Sequence, residues 1–390
     1  FSRHIYKRED RELKEGTLCY VKLQNGTTHH IDGIYPVMIP VKLNEKSPWD
    51  VLDDSLKPAS KISELSPADR VFGWVPENKP SEGQTASKHL LKIKNVKFVK
   101  SQYKPIEDFG DAGLPLAVLG SPKPQQARFY VAQNKNGDAQ NNGISRTKAS
   151  YSHNDNSLRG RKVYPHHKNL PNDYWKKPLS YNFNNQHGRW KEYIRPGFER
   201  DKLNMSIKGW VNPECEFQFD ISFMNLSKVE LGALIWLLKL GNGKFHRFGG
   251  GKPLGFGSVK LDIESADIKT KNDIKQEYSF FLKPEARETI PDAEEQNPDL
   301  EHFINEFKIK SVEFYKTSSN MDNVSFDEIP YIKAFLKSCE GFNDDLPVHY
   351  PRITRAPNPD GKTYEWFVKN ERGNKLSLPN IKDDNGFPIS

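Results

Sequence analysis

Phe217-Gln218-Phe219-Asp220-Ile221-Ser222-Phe223 is the stretch that decides the fold. Phe217, Phe219, Ile221 and Phe223 alternate with polar residues, which is the period of a strand with one buried face. Just beyond it, Ser227-Lys228-Val229-Glu230 has the spacing of a capping box, in which the serine and glutamate satisfy each other's open backbone N–H groups. The box opens an apolar helix expected over Val229 to Leu240 and ended by Gly241. Gly257 to Ile263 then reads as a second strand, with Val259, Leu261 and Ile263 on one face. The order strand, helix, glycine loop, strand sets the loop at the end of a sheet, next to the helix terminus.

That loop runs His246-Arg247-Phe248-Gly249-Gly250-Gly251-Lys252-Pro253-Leu254-Gly255-Phe256-Gly257. Gly249, Gly250, Gly251, Gly255 and Gly257 permit positive φ and can turn amide donors toward an anion. Arg247 and Lys252 add charge. A nucleotide-binding P-loop is excluded by three features: Pro253 follows the lysine, the spacing to an earlier glycine is wrong, and a strand rather than a helix comes next. A loop that cradles a polynucleotide backbone, or tight-turn punctuation, is what remains.

Upstream of the strand the charge is concentrated. Residues 141–200 carry 12 Lys/Arg against 4 Asp/Glu, more than the net +7 of the whole chain. Nine aromatic residues lie in the same window, among them Tyr151, Tyr164, Tyr174, Trp175 and Tyr193. Asn, Gly, Pro and Ser break any period, so a long ordered loop is expected. Cations meet phosphates and rings offer faces to unstacked bases, so the composition points to nucleic acid. Arg159, Arg161 and Lys162 are the candidate phosphate grips, around Gly160. His166 and His167 are candidate RNA contacts. As an alternative, either histidine could act in acid–base cleavage of RNA.

Farther out the signals are shorter. Gly16 to Leu23, Leu90 to Phe98 and Ala127 to Gln133 read as strands, and Tyr35 to Val41 as an apolar stretch cut by prolines. Ser66-Pro67-Ala68-Asp69 is an N-cap with proline in the first turn of a short helix ended by Gly73. Asp69 is the second candidate for a nuclease group. Leu119-Gly120-Ser121-Pro122-Lys123-Pro124 is a stiff turn that presents the cation Lys123. The Asn134 to Gly143 stretch is polar and expected to be mobile. Past Ile263 comes an acidic run from Asp292 to Glu301. Two amphipathic helices are marked by Leu300, Phe303, Ile304 and Phe307, then by Ile332, Phe335, Leu336 and Cys339. An irregular tail from Asp344 contains Tyr350-Pro351-Arg352 and Tyr364-Glu365-Trp366-Phe367.

Composition sets the remaining bounds. The 390 residues include 45 aromatics, which supply enough burial to exclude a wholly disordered chain. The longest apolar run, Ala233 to Leu238, is far short of a membrane span. Cys19, Cys215 and Cys339 lie far apart, which argues against a disulfide framework or a zinc cluster and for a reducing, cytoplasmic setting. No cofactor is implied. The chain opens on Phe1 without a methionine, so a piece of a longer polypeptide is expected.

Taken together, several motifs resemble the CRISPR RAMP superfamily. Asn225-Leu226-Ser227, Glu230-Leu231-Gly232-Ala233-Leu234 and Gly249-Gly250-Gly251-Lys252-Pro253-Leu254-Gly255-Phe256-Gly257 are similar to the C-terminal half of a RAMP module. Ser66-Pro67-Ala68-Asp69-Arg70-Val71-Phe72-Gly73, Ser121-Pro122-Lys123-Pro124 and Leu158-Arg159-Gly160-Arg161-Lys162 are similar to insertion-containing, backbone-type modules. The tail ending in Tyr350-Pro351-Arg352 resembles that of the type III-E giant single-chain effectors (gRAMP). The resemblance spans about residues 16 to 263 plus the tail.

The resemblance implies an α+β fold: a ferredoxin-like (RRM-like) half-module with long insertions and an irregular C-terminal extension. It divides the chain into a module entry over 1–75, a half-module over 76–263 holding the basic loop 141–200, and an extension over 264–390. It implies binding of CRISPR guide RNA and target single-stranded RNA within an RNA-guided endoribonuclease of antiviral defence. Partners would be other RAMP modules of the same effector and a caspase-like TPR-CHAT protease. The first strand and glycine-containing helix of such modules are not recognisable ahead of Ser66, and the cleaving aspartate usually lies in that half. The chain itself is therefore expected to bind rather than cut.

Overall fold

The computed structural model describes residues 15, 19–23, 30–36, 45–76, 86–160, 162–171, 173–176, 190–198, 200, 204–282, 299–319, 323–344, 346–357 and 362–383. The protein is of the α+β class, with six helices and small antiparallel sheets among these residues. β1 (Cys19–Leu23) and β2 (Ile31–Pro36) pair as a hairpin. α1 (Pro67–Phe72) follows, with Ser66 at the expected N-cap and Asp69 closing a full capping box.

The main scaffold is a long two-stranded ribbon. β3 (Leu91–Ile93), β4 (Lys97–Ser101), β5 (Ile106–Asp108) and β6 (Leu114–Pro115) run out. β7 (Val131–Ala132) and β8 (Ser157–Leu158) pair with each other inside the insertion. β9 (Ser206–Ile207), β10 (Gly209–Val211), β11 (Cys215–Gln218) and β12 (Ile221–Phe223) run back. The partners nest: β6 with β9, β5 with β10, β4 with β11 and β3 with β12. A bulge between Glu216 and Phe217 shifts the register once within the β4–β11 pair.

The alternating Phe217–Phe223 stretch thus forms strands whose face is covered only in part: Phe219, Ile221 and Phe223 are half-buried, and Phe223 packs on the core around Leu231 and Trp236. Phe217 remains half-exposed, its ring set edge-on against Phe98 across the pair at 5.7 Å. Among the described residues the ribbon has only two strands there, so no layer covers both of its faces. Three other expectations change. The Leu90–Phe98 strand is two strands, β3 and β4. Ala127–Gln133 is a 3-10 turn at Ala127–Phe129 followed by the two-residue β7. The Asn134–Gly143 stretch is tied down, with Gln140 buried and its amide bonded to Asn156.

α2 (Lys228–Leu238) begins at the expected box: Glu230 Oε2 accepts from the Ser227 N–H at 2.8 Å. Arg70 reaches the same carboxylate from α1 at 3.1 Å. β13 (His246–Arg247) and β14 (Ser258–Val259) frame the glycine loop as a hairpin, so the expected strand over Gly257–Ile263 shortens to two residues. Three helices follow: α3 (Lys271–Leu282), α4 (Leu300–Ser319) and α5 (Pro330–Glu340). α2, α4 and α5 share one core of Leu231, Ile235, Trp236, Ile304, Ile329 and Ile332. α2 and α4 cross closely because a Cβ on Gly232 would stand 1.9 Å from the Phe303 carbonyl oxygen.

α6 (Thr363–Arg372) lies in the tail expected to be irregular. Its Trp366 is buried and, with Phe367, packs on Phe129 of the insertion. The Arg128–Glu371 pair, with its two bonds at 3.1 and 2.9 Å, fixes the same contact. Packing thus runs across residue 263 in both directions, from α4 to α2 and from α6 to the insertion. The acidic run over 292–298 and the apolar stretch 37–41 lie outside the described residues.

Candidate nucleic-acid interface

The second core joins the basic window to the glycine loop. Trp175 and Tyr193 from the window pack with Trp210 from the ribbon and with Phe256 from the loop, at centroid distances from 4.9 to 6.0 Å, and Tyr174 packs on Trp175 and Tyr193. Leu254 is buried in the same cluster. Burial pushes the Tyr174 and Tyr193 hydroxyls well above the ordinary phenol range, so both rings act as neutral packing groups.

The loop has an anchored half and a free half. In the anchored half, the Leu254 and Gly255 N–H groups are bonded to the Gly251 and Lys252 carbonyls. Gly255, at φ +96, lies against the His167 ring, and a Cβ there would stand 2.6 Å from Nδ1. Gly257, at φ +76, lets its backbone pass the Phe248 carbonyl, which a Cβ would meet at 1.8 Å. Only glycine fits either position. The free half is the ring of Phe248 with Gly249 and Gly250; the Phe248 N–H itself donates to the Gly257 carbonyl at 2.7 Å. Phe248 is 75% exposed, and a Cβ built on Gly249 or Gly250 meets nothing within 4 Å. Gly251 (φ +67) closes the tip against Phe256.

The candidate cations divide by where their charge points. Arg247 turns inward: its guanidinium donates to the Lys252 carbonyl at 2.9 Å, to the Gly255 carbonyl at 3.4 Å and to Ser258 Oγ. Burial pushes its pKa down to about 10. It is the loop's internal tie. Arg159 also turns inward, donating to the Leu378 and Pro379 carbonyls and to Asn380 Oδ1, so it clamps the C-terminal segment. Lys252 folds its ammonium onto the Gly249 carbonyl at 2.8 Å, at the loop's rim. Lys162 is exposed, with its ammonium 5.2 Å from the Tyr164 ring centroid. Lys123 is exposed on its turn, which Tyr130 Oη steadies by accepting the Lys123 N–H. Arg161 lies outside the described residues.

His166 and His167 bring the two regions into contact. His166 Nδ1 is 2.8 Å from Ser258 Oγ, its ring lies 4.5 Å from that of Phe245, and its N–H donates to the Ser338 carbonyl. Burial and then the Arg247 charge push its pKa down to about 4. His167 is buried, and the same causes hold it at about 3. Both rings are neutral at pH 7 and used in packing. Asp69 is also occupied: its carboxylate accepts from the Ser66 N–H at 2.9 Å and from the Ser66 hydroxyl at 2.7 Å, closing the cap of α1.

Three further groups complete the region. Arg352 makes a two-bond pair with the buried Glu192 at 2.6 and 3.0 Å, tying the extension onto the window. Tyr350, two residues before, is close enough to Lys162 and Tyr164 for both to bias its hydroxyl, which burial pushes upward. Phe248 is the residue that reading for charge and glycine passed over. Its signal was an aromatic directly beside three glycines, where no core surrounds it. No family model matches the chain, and no curated protein matches it either.

Proposed function

We propose that this chain is an RNA-binding segment of a type III RNA-guided RNA-targeting effector, with a binding and scaffolding role. The observation that carries the proposal is the joining of the basic segment 162–168 to the glycine loop through His166–Ser258 and His167–Gly255, with the Phe248-Gly249-Gly250 tip left exposed beside them. In this reading a single strand would meet the Phe248 ring and the Gly249 and Gly250 backbone at the tip and Lys252 at the rim, with the exposed Lys162 and Lys123 as further cations. Such a surface reads backbone and stacking rather than base edges, as fits a protein that leaves sequence to a guide. Arg247, Arg159, His166 and His167 shape the surface from within.

The ferredoxin-like core belongs to this reading. β12, α2 and the β13–β14 hairpin supply its strand, helix and glycine loop, and chain outside this sequence would complete the sheet. Guide RNA, target RNA and neighbouring RAMP modules are the proposed partners, with the caspase-like TPR-CHAT protease docking on the extension. Among the described residues no helix is long and apolar enough to cross a membrane. The test is to express the chain with a CRISPR array and sequence the RNA that copurifies. Enrichment of repeat-derived guide RNA is expected. RNA no different from the cellular pool, or none, overturns the proposal.

A further inference from the structure

The ribbon carries a second surface, separate from the glycine loop. Its outgoing strand holds Lys92, Lys94, Lys97, Lys100 and Lys104, all exposed, with no Asp or Glu between Lys88 and Ile106. Between these lysines stand Ile93, Val96, Val99 and Ile106, each more than half exposed. The returning strand has the opposite character, with Glu214, Glu216 and Asp220, and Glu216 pairs with Lys100 across the ribbon at 3.4 Å, so the charge offered outward is that of Lys92, Lys94, Lys97 and Lys104. Its flank is engaged, because Gln218 donates to Glu264 at 2.7 Å. Among the described residues β3, β4 and β5 pair only with β12, β11 and β10, so the outer edge of the lysine strand has no partner strand.

Two-stranded ribbons are marginal in water, and a third strand is the usual remedy. An open edge offers unpaired N–H and C=O groups along its length. We infer that the lysine edge over residues 91–108 takes an extended acidic polypeptide strand by β-augmentation, its apolar side chains covering Ile93, Val96, Val99 and Ile106. In this mode backbone pairing gives affinity and alternate side chains give specificity. The alternation of lysine with aliphatic residues selects a partner alternating acid with aliphatic. Single-stranded RNA would satisfy the lysines equally well. It has no use for four exposed aliphatic side chains, since bases stack on rings. Of the rings on this part of the ribbon, Phe98 is engaged with Phe217, and Tyr103 is exposed, a single ring beside four exposed aliphatic side chains.

The test uses the 390-residue chain and a fluorescent peptide of alternating valine and glutamate, with two controls. One control is the same peptide N-methylated at alternate residues, which blocks edge pairing without altering charge. The other is a single-stranded oligouridylate of equal charge. The peptide is expected to bind and to protect amides of residues 91–108 from hydrogen exchange. N-methylation should weaken it at least about tenfold, as should the exposed double substitution Lys92→Glu/Lys97→Glu. Circular dichroism checks that the variant stays folded. The inference fails if the peptide does not bind, if N-methylation leaves its affinity unchanged, or if only the oligouridylate binds and responds to the substitution. None of these outcomes bears on the glycine-loop surface.

Discussion

Arg247 separates positioning from contact. Its guanidinium donates to two loop carbonyls and Ser258 Oγ, so Arg247→Ala removes the tie that holds the tip in place. Bonds from a charged donor are worth about 1.5–3 kcal/mol each, and one of the three is long, so a stability loss of about 3 kcal/mol is expected. RNA binding should weaken because the loop loosens. No phosphate contact disappears, so the slope of log affinity against log salt should not move. Lys162→Ala with Lys252→Ala should do the opposite. Stability should fall less than in Arg247→Ala, because only the water-exposed Lys252–Gly249 bond is lost, while two lost phosphate contacts at about 0.7 each shallow the slope by about 1.4. The assays are fluorescence anisotropy with labelled single-stranded RNA over a salt series, and urea unfolding of each variant. The reasoning is refuted if Arg247→Ala shallows the slope by about 0.7 with an unchanged urea midpoint, since that would make it a phosphate ligand.

Three other variants probe the frame. Gly232→Ala should destabilise by about 1–2 kcal/mol in urea, because forcing α2 off the Phe303 carbonyl costs more than the roughly 1 kcal/mol gained in helix propensity; a stabilised variant would contradict the close crossing. Arg128→Ala should cost about 3 kcal/mol, at the low end for a buried pair because Glu371 keeps some solvent contact, and differential scanning calorimetry would show it. Arg159→Ala should free the segment around Leu378–Asn380, read as faster hydrogen exchange there with α6 unchanged. The histidines give a pH dependence. Folded His166 and His167 stay neutral down to about 4 and about 3, whereas unfolded histidine takes a proton near 6.5. The unfolded state therefore binds more protons between those values. Stability is full above about pH 6.5 and falls as pH drops toward 4. Replacing His167 with glutamine should flatten that fall in a pH series of urea midpoints.

Local chemistry was legible in the sequence, and long-range partnership was not. The N-cap at Ser66 and the capping box at Ser227–Glu230 formed where the sequence put them, because each is decided within four residues. α6 escaped notice because Tyr364-Glu365-Trp366-Phe367 sits among Pro, Asn and Gly, and its helix is fixed by Trp366 on Phe129, more than 200 residues away in sequence. The apolar alternation at Phe217–Phe223 correctly signalled strands, but alternation does not tell whether another layer will cover them. The glycine loop and the basic window are joined by a common aromatic core. What sequence could not give is the direction of each charge. Arg159 and Lys162 look alike on paper, yet one clamps the tail and the other reaches solvent beside Tyr164.

The most direct measurement is photocrosslinking of 4-thiouridine-substituted RNA to the chain, with adducts mapped by mass spectrometry. The account predicts adducts on Phe248 and Tyr164, the exposed tip and the ring beside Lys162. Adducts confined to the α4–α5 surface, with both rings unmodified, would contradict it.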